Sequence, residues 1–265
     1  MPQITSQKQF QSLGKPEFCY LCGEPLDNGQ PLNSDHCPPE KMFAIKDRVN
    51  YPIKVKVHAH CNHSWHIEDE KLAIFFDMLH GGEKADNPKH VRKLSLLSIS
   101  TEQGIYQGIT RFPFKPLVFR VLRCVHAILY SEFLPKNTKN HVHFPIPEVN
   151  KEKGNEPIPH EMQTYAFSNA LCTALKTNSF DCLFAYNGKF KYVCTWSHFD
   201  NGPSMCIFAF DIYHLAQFAV QIRDFPKAII GFYAHPRPPG AALGSKLEVE
   251  NSDEEILYPL GICMK

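Results

Sequence analysis

The chain has 265 residues, enough for one large core or two small ones, and its 43% hydrophobic and 12% aromatic content excludes a disordered protein. Lys plus Arg number 28 against Asp plus Glu 27, so bulk charge does not announce a nucleic-acid partner and any basic surface must be local. No run of about eighteen apolar residues occurs, and the stretch from Met1 to Gln9 lacks the apolar core of a signal peptide, so a cytoplasmic protein with no membrane association is expected.

Residues 1–17 are polar and read as a loosely held lead-in. Cys19-Tyr20-Leu21-Cys22-Gly23 follows, and a two-residue gap lets both thiolates reach one tetrahedral zinc ion while Gly23 permits the tight turn behind them. A thioredoxin-type redox pair competes, but no βαβ pattern surrounds it and a second pair lies downstream, His58 and Cys61 with the same gap. Together these give a Cys₃His set. His60 is the rival to His58 and is disfavoured because it adjoins Cys61. Cys124, Cys172, Cys182, Cys194, Cys206 and Cys263 sit singly in apolar surroundings, where Cys packs as a small reduced hydrophobe.

Between the two pairs lies Asp35-His36, with Pro39 three residues beyond His36 and Asn62 directly after Cys61. Hydrolysis of a phosphodiester needs a base to deprotonate water and a hard cation to absorb charge on the phosphorane and leaving oxygen. Imidazole titrates near neutrality, so His36 is the candidate base. Asp35 and the Asn62 amide oxygen are hard donors suited to Mg²⁺ or Mn²⁺.

The order CxxC, Asp-His-x-x-Pro, then a second knuckle ending in Cys-Asn resembles the HNH endonucleases, also called His-Me finger or ββα-metal nucleases, in the branch with a treble-clef-like structural zinc. The resemblance covers about residues 18–80 and several spacings must coincide to produce it. The family's second knuckle usually carries two Cys, whereas His58 takes the first place here. Asn50, eight residues before His58, lies farther upstream than the motif's middle Asn. The resemblance implies a ββα-metal module, a structural zinc on Cys19, Cys22, His58 and Cys61, and a catalytic divalent metal on Asp35 and Asn62. His66 would touch substrate phosphate or complete the motif's final His.

Residues 63–79 are expected as the helix of that module, with Leu72, Phe75, Phe76 and Leu79 as its apolar stripe and Glu68, Asp69 and Glu70 in its early turns. His63 reads as a solvated or core-edge side chain. Gly81-Gly82 and Asn87-Pro88 break the helix, and Lys84, Lys89, His90, Arg92 and Lys93 form a basic patch, either plainly solvated or a contact to a nucleic-acid backbone. The nuclease module is thus expected over 18–94.

A helical connector over 95–135 contains a helix from Pro116 to about Leu134, where Arg120 and Arg123 share a face and could grip phosphates or pair with acids; an amphipathic core helix with both arginines exposed is the favoured reading. Residues 136–160 are Pro-rich and polar, a linker or a long surface loop. The remainder, 161–265, reads as an α+β part around an antiparallel sheet. It comprises a helix over 161–177, a hairpin signalled by Asn187-Gly188, and strands from Met205 to Tyr213 and Ala228 to Ala234. Tyr186, Tyr192 and Trp196 are assigned to core packing ahead of base stacking, and Glu248 to Glu255 to a solvated acidic loop.

The overall expectation is an α+β protein acting as a metal-dependent endonuclease on nucleic acid, with DNA the expected substrate. Restriction and phage defence are the settings such family members serve, and a protein partner that licenses cleavage is consistent with the C-terminal part. The alternative is a catalytically inactive zinc-containing adaptor that binds nucleic acid or protein. Joint retention of Asp35, His36 and Asn62 favours the enzyme, because a purely structural module has no use for the three together.

Overall fold

The computed structural model describes residues 2–13, 15–43, 45–48, 53–71, 95–101, 104–110, 114–143, 149–150, 156–157, 161–198, 204–212 and 229–244. It is a mixed α+β chain in two compact units. One comprises Gly14–Phe133 with Val149–Pro157, the other Met1–Leu13, Leu134–Glu148 and Ile158–Lys265.

In the first unit the strand Leu32–His36 pairs antiparallel with Lys54–His58 in the register Leu32 to His58 and His36 to Lys54. Alternation in Lys54-Val55-Lys56-Val57 puts the valines inward and the lysines outward, as a half-buried strand requires. The second strand runs straight into the helix Ala59–His63. After a turn at 64–65 the chain is helical again over 66–71. The helix after the second knuckle therefore begins four residues earlier than periodicity predicts, because His58 and Cys61 sit at the strand-to-helix junction. The stripe at Leu72, Phe75, Phe76 and Leu79 and the basic residues Lys84, Lys89, His90, Arg92 and Lys93 lie outside the described residues.

Residues 95–110 form an antiparallel hairpin, Ser95–Thr101 with Gly104–Thr110, where the sequence reading expects a helical connector. Alternation in Leu97-Ser98-Ile99-Ser100 carries a period of two that the broader helical assignment passed over. The helix Phe114–Tyr130 has Pro116 in its first turn, where a missing N–H costs nothing. It closes at Ser131, whose φ of 53° is the left-handed helix-ending conformation and whose N–H bonds to the Ala127 carbonyl at 3.0 Å. From Leu117 to Leu129 almost every side chain is buried, Arg120 and Arg123 included. The exposed-arginine expectation is thus corrected, and the reason is that both guanidiniums have internal partners.

The second unit is built on a six-stranded sheet. Its order runs Gln3–Ile4, Asp181–Ala185, Phe190–Ser197, Met205–Ile212, Ile229–Ala234, Asn140–His143, with only the first pair parallel. Residues 3–4 are thus an edge strand and not a loose lead-in, since Ile4 is buried beside Leu183. The hairpin at Asn187-Gly188 forms as expected. Tyr186, Asn187 and Gly188 all take positive φ, and Ala185 and Tyr186 accept turn hydrogen bonds from Gly188 and Lys189. Asn140–His143 pairs with Ile229–Ala234, so part of the Pro-rich stretch belongs to the sheet.

The helix Glu161–Lys176 lays Phe167 and Leu171 on Met205, Ile207, Ala209, Ile230 and Phe232. The opposite sheet face carries Tyr192, Trp196, Phe208 and Tyr233, all buried, with Trp196 and Tyr233 edge to face at 5.7 Å. Tyr186, Tyr192 and Trp196 are therefore packed side chains and not base-stacking platforms. Truncating Phe167, whose ring lies 5.6 Å from that of Phe232, empties the centre of the helix-facing layer. Phe167→Ala is expected to cost about 3–5 kcal/mol, read as a lower urea midpoint at unchanged slope.

No helix among the described residues is long and apolar enough to cross a membrane.

Candidate metal centre and adjoining cleft

The first knuckle is a minute hairpin. Cys19 donates to the Glu24 carbonyl at 2.9 Å, Leu26 to Glu17 at 2.9 Å, and Cys22 and Gly23 both donate to the Cys19 carbonyl, at 3.2 and 2.7 Å. Curling two amides onto one carbonyl brings the Cys19 and Cys22 side chains to the same side. The turn needs a left-handed residue, and Gly23 supplies it at φ 90°. A Cβ at Gly23 would also lie 2.9 Å from the Phe133 ring. Gly23→Ala is accordingly expected to lose about 1–2 kcal/mol from conformation alone, seen as a lower melting temperature and earlier zinc release on chelator titration.

His58 ends its strand and Cys61 falls in the first turn of the following helix. The ligand atoms of Cys19, Cys22, His58 and Cys61 all lie within 4.8 Å of one another. The Cys22 sulfur is 3.3 Å from His58 Nδ1, close to the separation of two vertices on a tetrahedral zinc ion with bonds of about 2.0–2.3 Å. On the other side of the ring, Nε2 lies 3.2 Å from the Pro25 carbonyl. A carbonyl only accepts, so the proton belongs on Nε2 and Nδ1 is left with its lone pair toward the sulfurs, the outer-shell arrangement of a metal-bound histidine.

His58 is therefore the fourth member of the cluster. His60 stacks on it at 5.7 Å and places its Nε2 3.2 Å from the Cys61 sulfur, a supporting position. Burial, then the neighbouring thiols of Cys19 and Cys22, push the Cys61 thiol up to about 12, and burial raises that of Cys22 as well. Three crowded sulfurs, beside an imidazole with an oriented lone pair, fit a structural zinc.

Beside this centre lies a cleft of about 410 Å³ lined by Ser34, Asp35, His36, Pro39, Glu40, Lys41, Asn62, His66, Asp69 and Glu70. It collects all four side chains singled out from the sequence for chemistry. His36 ends the strand Leu32–His36, stays outside the zinc cluster, and sets Nε2 3.3 Å from the Glu40 carboxylate. That contact orients the ring and directs Nδ1 elsewhere as the free base. Burial lowers the His36 pKa from the usual imidazole value, against a raising influence of Glu40. Asn62 donates through Nδ2 to the Ser34 carbonyl at 3.4 Å, which commits its nitrogen to the strand and leaves its oxygen for a ligand. His66 is exposed and stacks on His63 at 5.7 Å.

Asp35 differs from the other three. It is 4% exposed, and its two oxygens accept from the Tyr20 hydroxyl at 2.5 Å and from Arg120 Nη2 at 2.7 Å. A carboxylate offers about four acceptor positions, so two remain for a cation. Arg120 also donates through Nη1 to Asp69, reaches the Tyr20 hydroxyl from Nε at 3.3 Å, and lies 5.1 Å from the centre of the Trp65 ring. Burial pushes the Asp69 carboxyl up to about 6, although Arg120 pulls the other way. Arg123 donates to the Leu21 carbonyl at 2.9 Å and faces the Phe133 ring, so it braces the knuckle from behind.

No protein family, curated protein or solved structure matches the chain. The centre is thus defined by its donor set and geometry: a Cys₃His cluster that can hold a structural metal ion such as zinc, next to a cleft with one oriented imidazole and several oxygen donors. Tyr20 and Glu40 belong to it without having been singled out from the sequence, and Asp69 was read only as a charge in an early helix turn. Glu40 had a legible signal, four residues after His36. For Arg120 the sequence offers an acidic partner as one reading but not which one, since Asp35 lies 85 residues away.

Proposed function

We propose that the chain is a metal-dependent endonuclease of the HNH type that hydrolyses phosphodiester bonds, with DNA as the expected substrate. The observation that carries this reading is the meeting of Asp35, His36, Asn62 and His66 on one cleft beside the Cys₃His cluster. Further support comes from the strand, strand, helix succession over 32–63 that presents them.

In this reading His36, oriented by Glu40, takes the proton of the attacking water through its free nitrogen. Asp35, through its remaining acceptor positions, and the Asn62 oxygen hold a Mg²⁺ or Mn²⁺ ion. That ion when bound takes up charge on the scissile phosphate and the leaving oxygen. His66, exposed at the rim, contacts a substrate phosphate. The zinc cluster fixes the knuckle and the strand-to-helix junction and takes no part in the reaction. Lys84, Lys89, Arg92 and Lys93 are proposed to grip the nucleic-acid backbone. Restriction or phage defence is the setting this activity suits, with cleavage licensed by a protein partner.

One observation favours the adaptor reading: Asp35 already bonds to Tyr20 and Arg120, as a purely structural carboxylate would. Supercoiled-plasmid nicking with Mg²⁺ or Mn²⁺ separates the two. The endonuclease reading expects cation-dependent nicking by the native chain and none by His36→Ala with its zinc intact. Equal nicking by both proteins, or none by either with any divalent cation, leaves the adaptor.

A further inference from the structure

Arg120 is the most deeply buried cation among the described residues of its unit, 0% exposed, and it touches each part of the candidate centre. Its Nε reaches Tyr20, which stands between the two knuckle cysteines. Its Nη2 holds Asp35 on the strand that carries His36, its Nη1 holds Asp69, and its planar face lies over Trp65. Asp35 and Asp69 both belong to the cleft lining. One guanidinium thus serves two carboxylates, and with Tyr20 neutral the group retains one net negative charge on the side that faces the cleft.

A guanidinium carries one positive charge, so the second carboxylate, Asp69 with its side chain 25% exposed, is not neutralised within the group. Here the excess charge is directed at open solvent space, where a cation can compensate it. The rigid, forked geometry of guanidinium also fixes the plane of the Asp35 carboxylate in a way that a lysine ammonium does not.

We propose that Arg120 is the positioning residue of this cleft, holding Asp35 and Asp69 in a shared ion pair whose surplus negative charge binds a divalent cation. The inference rests on the reading of the cleft as a divalent-cation site for phosphodiester hydrolysis. Arg120 touches neither substrate nor cation; it acts through Asp35.

The test is Mn²⁺ binding to the zinc-loaded full chain, followed by loss of the free-ion electron paramagnetic resonance signal, with plasmid nicking measured in parallel. Native protein is expected to bind Mn²⁺ in addition to its zinc. Arg120→Lys keeps the charge but not the fork, and is expected to retain zinc while binding Mn²⁺ about tenfold or more weakly, the usual scale for loss of an outer-shell partner.

Should Arg120→Lys lose zinc or its cooperative melt, Asp69→Asn is the variant to read. It removes the surplus charge and is expected to weaken Mn²⁺ binding in the same direction. Unchanged Mn²⁺ affinity in a zinc-retaining variant, or absence of Mn²⁺ binding by the native chain, overturns the proposal. A shifted Mn²⁺ affinity in a chain that never nicks DNA upholds Arg120 as the positioning residue while overturning the nuclease reading.

Discussion

Cys61→Ser is expected to abolish stoichiometric zinc binding and, with it, the cooperative melt of the unit that spans Gly14–Phe133. The knuckle, the end of the strand Lys54–His58 and the start of the helix Ala59–His63 meet at the four ligand atoms. Tyr20, Leu21, Val55 and Val57 are buried around the site, while Cys22 and Cys61 are only partly buried, so coordination adds to packing in joining these segments. In small zinc domains the metal contributes about 10–16 kcal/mol of apparent binding free energy, as much as the whole stability of about 5–15 kcal/mol of an ordinary domain.

Losing one thiolate leaves three ligands, and the burial that raises the Cys22 thiol then opposes its ionisation beside a more weakly held cation. Metal analysis should find one zinc per native chain and a substoichiometric amount in the variant. Circular dichroism should find an early, broad transition, and a strong chelator should reproduce it in the native protein. Because burial raises the Cys22 and Cys61 thiols, zinc uptake should release protons, and apparent zinc affinity should fall as pH is lowered.

The second large effect concerns His36. Replacing a general base by alanine removes about 10²–10⁴ in rate, so His36→Ala is expected to reduce nicking by that factor while zinc content and melting temperature stay near native. The side chain is half-buried and its polar contact among the described residues is the exposed-side Glu40, which is why its loss should matter to chemistry and little to folding.

The pH profile has a definite sign. Burial holds the His36 pKa below the ordinary imidazole value, so the neutral base form persists to lower pH than in a free histidine. The rate should hold to lower pH than a free imidazole would allow and decline as His36 is protonated. The stability linked to His36 follows the same direction, fully present above the unfolded-state pKa and lost as pH drops through the depressed folded-state value.

The local features were legible in the sequence because a few neighbouring residues specify them. The two-residue gaps at Cys19-Cys22 and His58-Cys61 fix which atoms can share an ion. Asn187-Gly188 sets a turn by its own backbone preferences, and the helix that starts near Pro116 carries its own period. Arg120 and Arg123 were misread as exposed because a charged residue on a helix announces only its cost of burial, not a carboxylate far along the chain. The same holds for Gln3–Ile4, whose two residues carry no pattern until Cys182 and Leu183 stand beside them. Asp35 was legible as a candidate ligand, but its engagement with Tyr20 and Arg120 was not, since that depends on a contact spanning 85 residues.

The strand order of the six-stranded sheet bears on synthesis. Gln3–Ile4 leaves the ribosome before Gly14–Phe133, yet its partner Asp181–Ala185 emerges only after that whole segment. The metal-binding ligands are all available by then, so zinc can be captured while Gln3–Ile4 still waits for its neighbour. Any deletion that trims the first few residues would therefore spare metal loading and instead leave the late-forming sheet with an uncovered edge at Asp181–Ala185.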